Sequence, residues 1–203
     1  MPAARTFLIW FALICILAWP LVIAARSPLL AWREPVYIAA SFAGIAALGL
    51  CVLQPLLAGG ALPGVSARLG RAVHRWVGLG LLLSVLIHVG GLWLTSPPDV
   101  VDALLLRSPT PFSAWGVAAM WALFAAAGLA LVRRRLKLTP RAWRLGHIGL
   151  VTITVAGTVA HALLIEGTMG PVSKIMLCLV AVAALVKTLI DLRVPALIRR
   201  VRS

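Results

Sequence analysis

Acidic residues are scarce in this chain, which has only five Asp and Glu against 19 Lys and Arg in 203 residues. Its three cysteines form no C-x-x-C or C-x-x-C-H pattern, so the sequence supports neither a thiol redox site nor covalent cofactor attachment. No glycine-rich fingerprint follows a strand pattern, which excludes a recognisable dinucleotide-binding domain. The function must therefore reside in the apolar part of the chain or with a partner.

Charge is also nearly missing from six long apolar stretches. The chain is 62% apolar with a mean hydropathy of +1.05, and the stretches are long enough to cross a bilayer as helices. The predicted spans cover residues 7–25, 36–58, 74–95, 113–132, 145–165 and 172–192. Because their connections are short, we predict one all-α domain over residues 1–203, a six-helix bundle embedded in a lipid membrane.

The charges are distributed unevenly between the two sides of the predicted bundle. Most of the 19 Lys and Arg lie before span 1, between spans 2 and 3, between spans 4 and 5, or after span 6. The opposite side holds most of the acids, namely Glu34, Asp99, Asp102 and Glu166. The positive-inside rule then predicts that both termini lie in the cytoplasm. We expect an integral protein of a bacterial inner (plasma) membrane. The positive-inside rule also accounts for the net charge of +14 without a nucleic-acid partner. An alternative for residues 1–25 is a cleaved signal peptide.

Other polar and aromatic residues lie near the predicted membrane surfaces. The tryptophans near span ends fit an aromatic belt, so we assign no chemistry to Trp19, Trp32, Trp76, Trp93, Trp115 and Trp143. The connection 96–111 carries Asp99, Asp102 and Arg107. These three either shape a surface for an electron acceptor or form a solvated loop.

All four histidines fall in two of the spans, as two pairs with the same spacing. His74 and His88 are fourteen positions apart in span 3. His147 and His161 are fourteen positions apart in span 5. Fourteen helical residues rise about 21 Å and complete almost four turns, so both rings of a pair face one side of their helix. Because a bilayer core is roughly 30 Å thick, each helix carries one ring near each membrane surface.

Spans 3 and 5 run in the same direction, which matches His74 with His147 near the cytoplasm and His88 with His161 near the outside. An ionisable side chain inside a span is a functional-site hypothesis. Zinc or a di-metal centre would require Cys or acidic ligands beside the histidines, and none lies at useful spacing. Two imidazoles per site suit six-coordinate haem iron, which carries electrons and has no open position for substrate.

Basic residues flank the pair near the cytoplasm. Arg71, Arg75 and Arg144 are candidates for binding the propionates of a haem there, because arginine pairs well with carboxylates. The alternative is that these arginines only anchor the helix ends on the cytoplasmic side.

Two segments carry a family resemblance. The first is residues 70–79 (GRAVHRWVGL), followed by His88, and the second is residues 143–147 (WRLGH), followed by His161. With them the chain resembles the ferric reductase-like transmembrane domain family, which includes the membrane parts of ferric reductases and NADPH oxidases. The resemblance covers nearly the whole chain, with six spans and haem ligands on the third and fifth.

The resemblance implies two haems b, an inner one at His74 and His147 and an outer one at His88 and His161. Electrons would come from a reduced flavin, FMN or FAD, at the cytoplasmic face or on a partner, and would leave outside. Because the sequence stops at Ser203 without a flavin or nicotinamide domain, we expect an oxidoreductase membrane subunit served by a separate cytoplasmic flavoprotein reductase. Ferric chelates, oxygen, a periplasmic acceptor protein and a quinone all remain open as acceptors.

Two other functions remain open at this stage. One is a quinone- or ascorbate-linked cytochrome b, in which the membrane part itself oxidises a small reductant. The other is a haem-free membrane transporter or scaffold whose histidines relay protons.

Overall fold

Residues 3–192 are described by a computed structural model and are helical almost throughout, with no β-strand among them. The helices are α1 (Ala3–Ala25), α2 (Pro35–Ala58), α3 (Ala67–Thr95), α4 (Pro97–Leu104), α5 (Pro111–Val132), α6 (Pro140–Leu164) and α7 (Pro171–Asp191). All of them except α4 are long and apolar enough to cross a membrane. The prediction of an all-α integral membrane protein with six spans is confirmed. The basic residues after Leu192, which entered the charge argument, lie outside the described residues.

Prolines and hydroxyl side chains determine where the helices begin. Every helix after α1 except α3 has proline at its first position, where the missing N–H has no helical partner to lose. The Ser66 hydroxyl accepts a hydrogen bond from the backbone N–H of Leu69 and so caps α3. Thr139 caps α6 in the same way through the N–H of Ala142. These caps place polar first turns before the apolar runs.

The observed helices differ from the predicted spans in three places. Helix α3 begins at Ala67 and α6 at Pro140, several residues before the predicted starts, because hydropathy marks only the apolar part of a capped helix. The connection after α3 contains the short helix α4, which buries Val100 and was not predicted.

The bundle is built from two antiparallel hairpins. Helix α2 packs along α3, and α5 packs along α6. Helix α7 joins the hairpins by packing on α2 and α6, while α1 lies at the edge against α2 and α7. The core follows from this arrangement, with Val52 of α2 and Leu177, Cys178 and Ala181 of α7 almost completely buried. Helices α3 and α6 therefore each have a supporting partner behind them.

Large apolar side chains cover the outside of the bundle. Phe7, Leu94, Leu131 and Val172 are each at least two-thirds exposed, as expected for side chains that face lipid. Between helices, small residues allow close approach instead. A Cβ atom at Gly157 of α6, for example, would lie 2.9 Å from the carbonyl oxygen of Trp115 on α5.

The two ends of the bundle differ in charge. We call the end formed by the first turns of α3 and α6 and by residues 133–139 the basic end. The opposite end, which carries Glu34, Asp99, Asp102 and Glu166, is called the acidic end.

Gly157 provides a test of the α5–α6 packing. Gly157→Ala should destabilise the protein by about 1–3 kcal/mol, because the added methyl group would overlap the α5 backbone. Gly149→Ala is the matched control, since a Cβ there meets nothing within 4 Å. Thermal unfolding in detergent should show a lower midpoint for the first variant only. Equal midpoints for both variants would contradict this packing.

Candidate functional site

The histidines occupy the facing sides of α3 and α6. His74 and His147 lie in the basic half of these helices, and His88 and His161 lie in the acidic half. At the acidic end, the ring centres of His88 and His161 are 6.4 Å apart and their planes are inclined by 78°. At the basic end, His74 and His147 lie fourteen residues before His88 and His161 on the same two helices. The structure thus places the rings of His88 and His161 next to each other, as the spacing predicted.

Carbonyl oxygens of the supporting helices hold three of the four rings. The Nδ1 atom of His88 lies 2.8 Å from the carbonyl oxygen of Ala40. The Nδ1 atom of His161 lies 2.8 Å from the carbonyl oxygen of Phe112. His74 Nδ1 lies 3.2 Å from Gln54 O. A carbonyl can only accept, so Nδ1 must carry the proton in each of these rings. The lone pair of Nε2 is then left available to bind a metal.

The supports repeat with the same period as the ligands. Ala40 and Gln54 are fourteen positions apart in α2, like the two histidines that they hold. In α5 the carbonyl of Phe112 holds His161, and the carbonyl of Ala126, fourteen positions on, lies beside His147. That fourth contact does not reach hydrogen-bond geometry. The two hairpins are therefore structural repeats, with one difference at the basic end.

Two glycines make the close approach of these rings possible. A Cβ atom at Gly44 would lie 2.9 Å from His88 Nδ1, and one at Gly116 would lie 2.7 Å from His161 Nδ1. Each glycine comes one helical turn after the residue whose carbonyl holds the ring. Sequence reasoning missed both positions, although a glycine at the matching place in two spans is a signal that could have identified them.

The donor set fits haem iron. Two metal–nitrogen bonds of about 2 Å, together with half the width of each ring, span roughly 6 Å between ring centres. The separation of 6.4 Å between His88 and His161 agrees with this span. No group of three or more His, Cys, Asp or Glu side chains that could hold a metal ion occurs within residues 3–192. Two axial imidazoles are what a haem requires when its own nitrogens supply the other four ligands.

The predicted propionate ligands are found in different environments. Arg71 and Arg75 are exposed on α3, on either side of His74. The guanidinium of Arg144 instead donates a hydrogen bond of 2.9 Å to the carbonyl oxygen of Leu192. Arg144 thereby satisfies one of the carbonyls left free at the C-terminus of α7.

Three unpaired polar atoms distinguish the basic end. Gln54 Oε1, Trp143 Nε1 and His147 Nδ1 are the buried side-chain atoms of residues 3–192 that lack a hydrogen-bond partner. Gln54 contacts His74, because its Nε2 donates to the His74 carbonyl at 3.2 Å. The indole of Trp143 stacks on the His147 ring, with ring centres 5.4 Å apart and planes inclined by 14°. Trp143 is thus more than the belt residue that the sequence indicated.

A cavity of about 400 Å³ opens at the acidic end. It is lined by Trp32, Arg33, Glu34, Tyr37, Thr95, Ser96 and Asp99. Asp99 therefore borders this cavity, whereas Asp102 and Arg107 do not line it. The Arg33 guanidinium lies over the Tyr37 ring at 4.7 Å, which fixes one wall.

The fold and the site define a class: an integral membrane helical bundle with two histidines on each of two neighbouring helices. A family model described as ferric reductase like transmembrane component matches residues 40–158, more than half of the chain. The protein belongs to this family, as the sequence predicted. No curated protein and no solved structure gives a significant match. The family indicates transmembrane electron transfer as the class of function.

The role of Arg144 can be tested directly. Arg144→Met should expose the last turn of α7, because the Leu192 carbonyl loses its donor, at a cost of about 1–2 kcal/mol. Hydrogen exchange should become faster in residues 188–192 and stay unchanged elsewhere. Arg134→Met, which removes an exposed arginine nearby, is the control. Unchanged exchange in α7 would show that this hydrogen bond contributes nothing there.

Proposed function

We propose that this protein carries electrons across a bacterial inner membrane through two haems b, one held by His74 and His147 and one by His88 and His161. The observation that supports this most strongly is the arrangement of His88 and His161. In both rings Nδ1 is hydrogen-bonded to a carbonyl, and the ring centres are 6.4 Å apart, which would leave room for one iron between them. Domains of this family generally bind haem, which agrees with that arrangement.

The protein's own residues perform three tasks in this proposal. The four histidines would hold the two haem irons, two imidazoles to each, with no ligand position left for a substrate. The carbonyls of α2 and α5 orient the rings and increase their basicity. The apolar surfaces of α3 and α6 exclude water from the space between them. The haems would supply reversible one-electron ferric/ferrous chemistry at two depths of the membrane.

The charge asymmetry supports a direction for the transfer. The basic end, with Arg68, Arg71 and the cluster at residues 133–135, faces the cytoplasm if the positive-inside rule holds. Both termini then lie in the cytoplasm. A reduced flavin, FMN or FAD, on a separate cytoplasmic flavoprotein would be the electron donor at the basic end. An acceptor on the outer side, such as a periplasmic protein, would receive the electrons at the acidic end.

Removal of one ligand should halve the haem content. His88→Ala should leave one haem per chain, because the basic-end pair does not depend on His88 for its support. A pyridine haemochrome assay on purified protein measures this ratio. Leu86→Ala, which shortens an exposed side chain on the same helix, should keep two haems. An unchanged haem content in His88→Ala would disprove the ligand assignment, and wild-type protein without a Soret band would favour a haem-free transporter.

The glycine at the acidic end should be as necessary as the ligand. Gly116→Ala places a methyl group against the His161 ring, which must then rotate away from the Phe112 carbonyl. We expect loss of most of the acidic-end haem with the helical content retained. Gly128→Ala on the same helix is the matched control, because a Cβ there meets nothing within 4 Å. Full haem occupancy in Gly116→Ala would contradict the proposed geometry.

A further inference from the structure

The two histidine sites are not equivalent, and the difference is concentrated around His147. His74 has Gly70 one helical turn before it, and His147 has Trp143 at the same place. Gly70 is buried, and a Cβ there would lie 3.1 Å from the carbonyl oxygen of Leu57 on α2. The first turns of α3 can therefore lie close against α2, within reach of the Gln54 carbonyl.

Helix α6 carries a bulky indole at the position where α3 has this glycine. The Nδ1 atom of His147 has no hydrogen-bond partner, unlike Nδ1 of the other three histidines. The indole takes over the support of the ring, because it stacks on the imidazole almost in parallel.

A positive charge completes this arrangement. The guanidinium carbon of Arg133 lies 4.7 Å from the centre of the Trp143 indole. The Trp143 indole thus contacts both the Arg133 guanidinium, from the exposed connection 133–139, and the His147 imidazole.

We propose that Arg133 and Trp143 are positioning residues that set the reduction potential of the basic-end haem above that of the acidic-end haem. The inference rests on the proposed function. An imidazole whose Nδ1 proton is shared with a carbonyl donates more strongly to iron and stabilises the ferric state. His147 lacks that bond, and the nearby guanidinium disfavours the more positive ferric site. Both effects favour the ferrous state at this site.

The acidic-end site provides the internal comparison. Both of its rings donate to carbonyls at 2.8 Å, and its aromatic neighbour, Phe112, meets His161 edge-on with an inclination of 73°. Within residues 3–192, no Arg or Lys side chain lies over the Phe112 ring. Substitutions at Arg133 or Trp143 should therefore change the reduction potential of the basic-end haem and leave that of the acidic-end haem unchanged.

A spectroelectrochemical titration of the full chain in nanodiscs tests the proposal. The wild-type protein should show two waves, and the one that remains in His88→Ala belongs to the basic-end haem. Arg133→Gln should move that wave to lower potential and leave the other in place. Arg134→Gln, the neighbouring exposed arginine, should move neither wave. The proposal is overturned if Arg133→Gln leaves both waves unchanged or moves both equally.

Trp143 variants separate the stack from a general packing role. Trp143→Leu should lower the same wave and change the electron paramagnetic resonance spectrum of one ferric haem, because the ring loses its parallel support. Trp143→Phe keeps an aromatic layer and should restore most of both properties. Identical spectra and potentials for Trp143→Leu and wild type would overturn the role of the stack. Should the wild-type chain bind no haem, the proposed function itself would fail.

Discussion

The hydrogen bond from a histidine ring to a backbone carbonyl of the neighbouring helix is the interaction on which this structure depends. A helical carbonyl already accepts one N–H, and its second lone pair is free to accept the ring. One bond then determines the tautomer, the direction of the ring and the register of two helices. In α2–α3 it occurs at Ala40 and Gln54, and in α5–α6 it occurs at Phe112. Helices α2 and α5 are in this sense part of the site.

Much of the architecture could be predicted from the sequence because lipid imposes simple requirements. Apolar runs of sufficient length must be helices, and equal spacing of histidines on parallel helices must produce two levels. The extra turns at Ala67 and Pro140 escaped prediction because they are polar and lie outside the apolar runs. Helix α4 was not predicted, because an eight-residue helix that begins with two prolines carries too weak a pattern to distinguish from a loop.

The supports of the site were beyond the sequence for a different reason. Every residue carries a carbonyl, so no residue type marks Ala40 or Phe112 as an acceptor. The only sign of these contacts in the sequence is the pair Gly44 and Gly116, which leave room for the histidine rings. Trp143 was assigned to the aromatic belt from the sequence, because a tryptophan near a span end is usually a membrane-surface anchor. Its contact with His147 depends on a four-residue offset that becomes meaningful only once the ring has a known role.

The shared fourteen-residue period of rings and carbonyls also limits how such a chain can change in length. A single insertion between His74 and His88 would rotate the second ring by about 100° and move it off its acceptor. A deletion between Ala40 and Gln54 would do the same from the other side of the hairpin. We therefore expect insertions and deletions only in the connections, such as residues 59–66 and 105–110. The segments of α2, α3, α5 and α6 between the paired positions should keep a constant length.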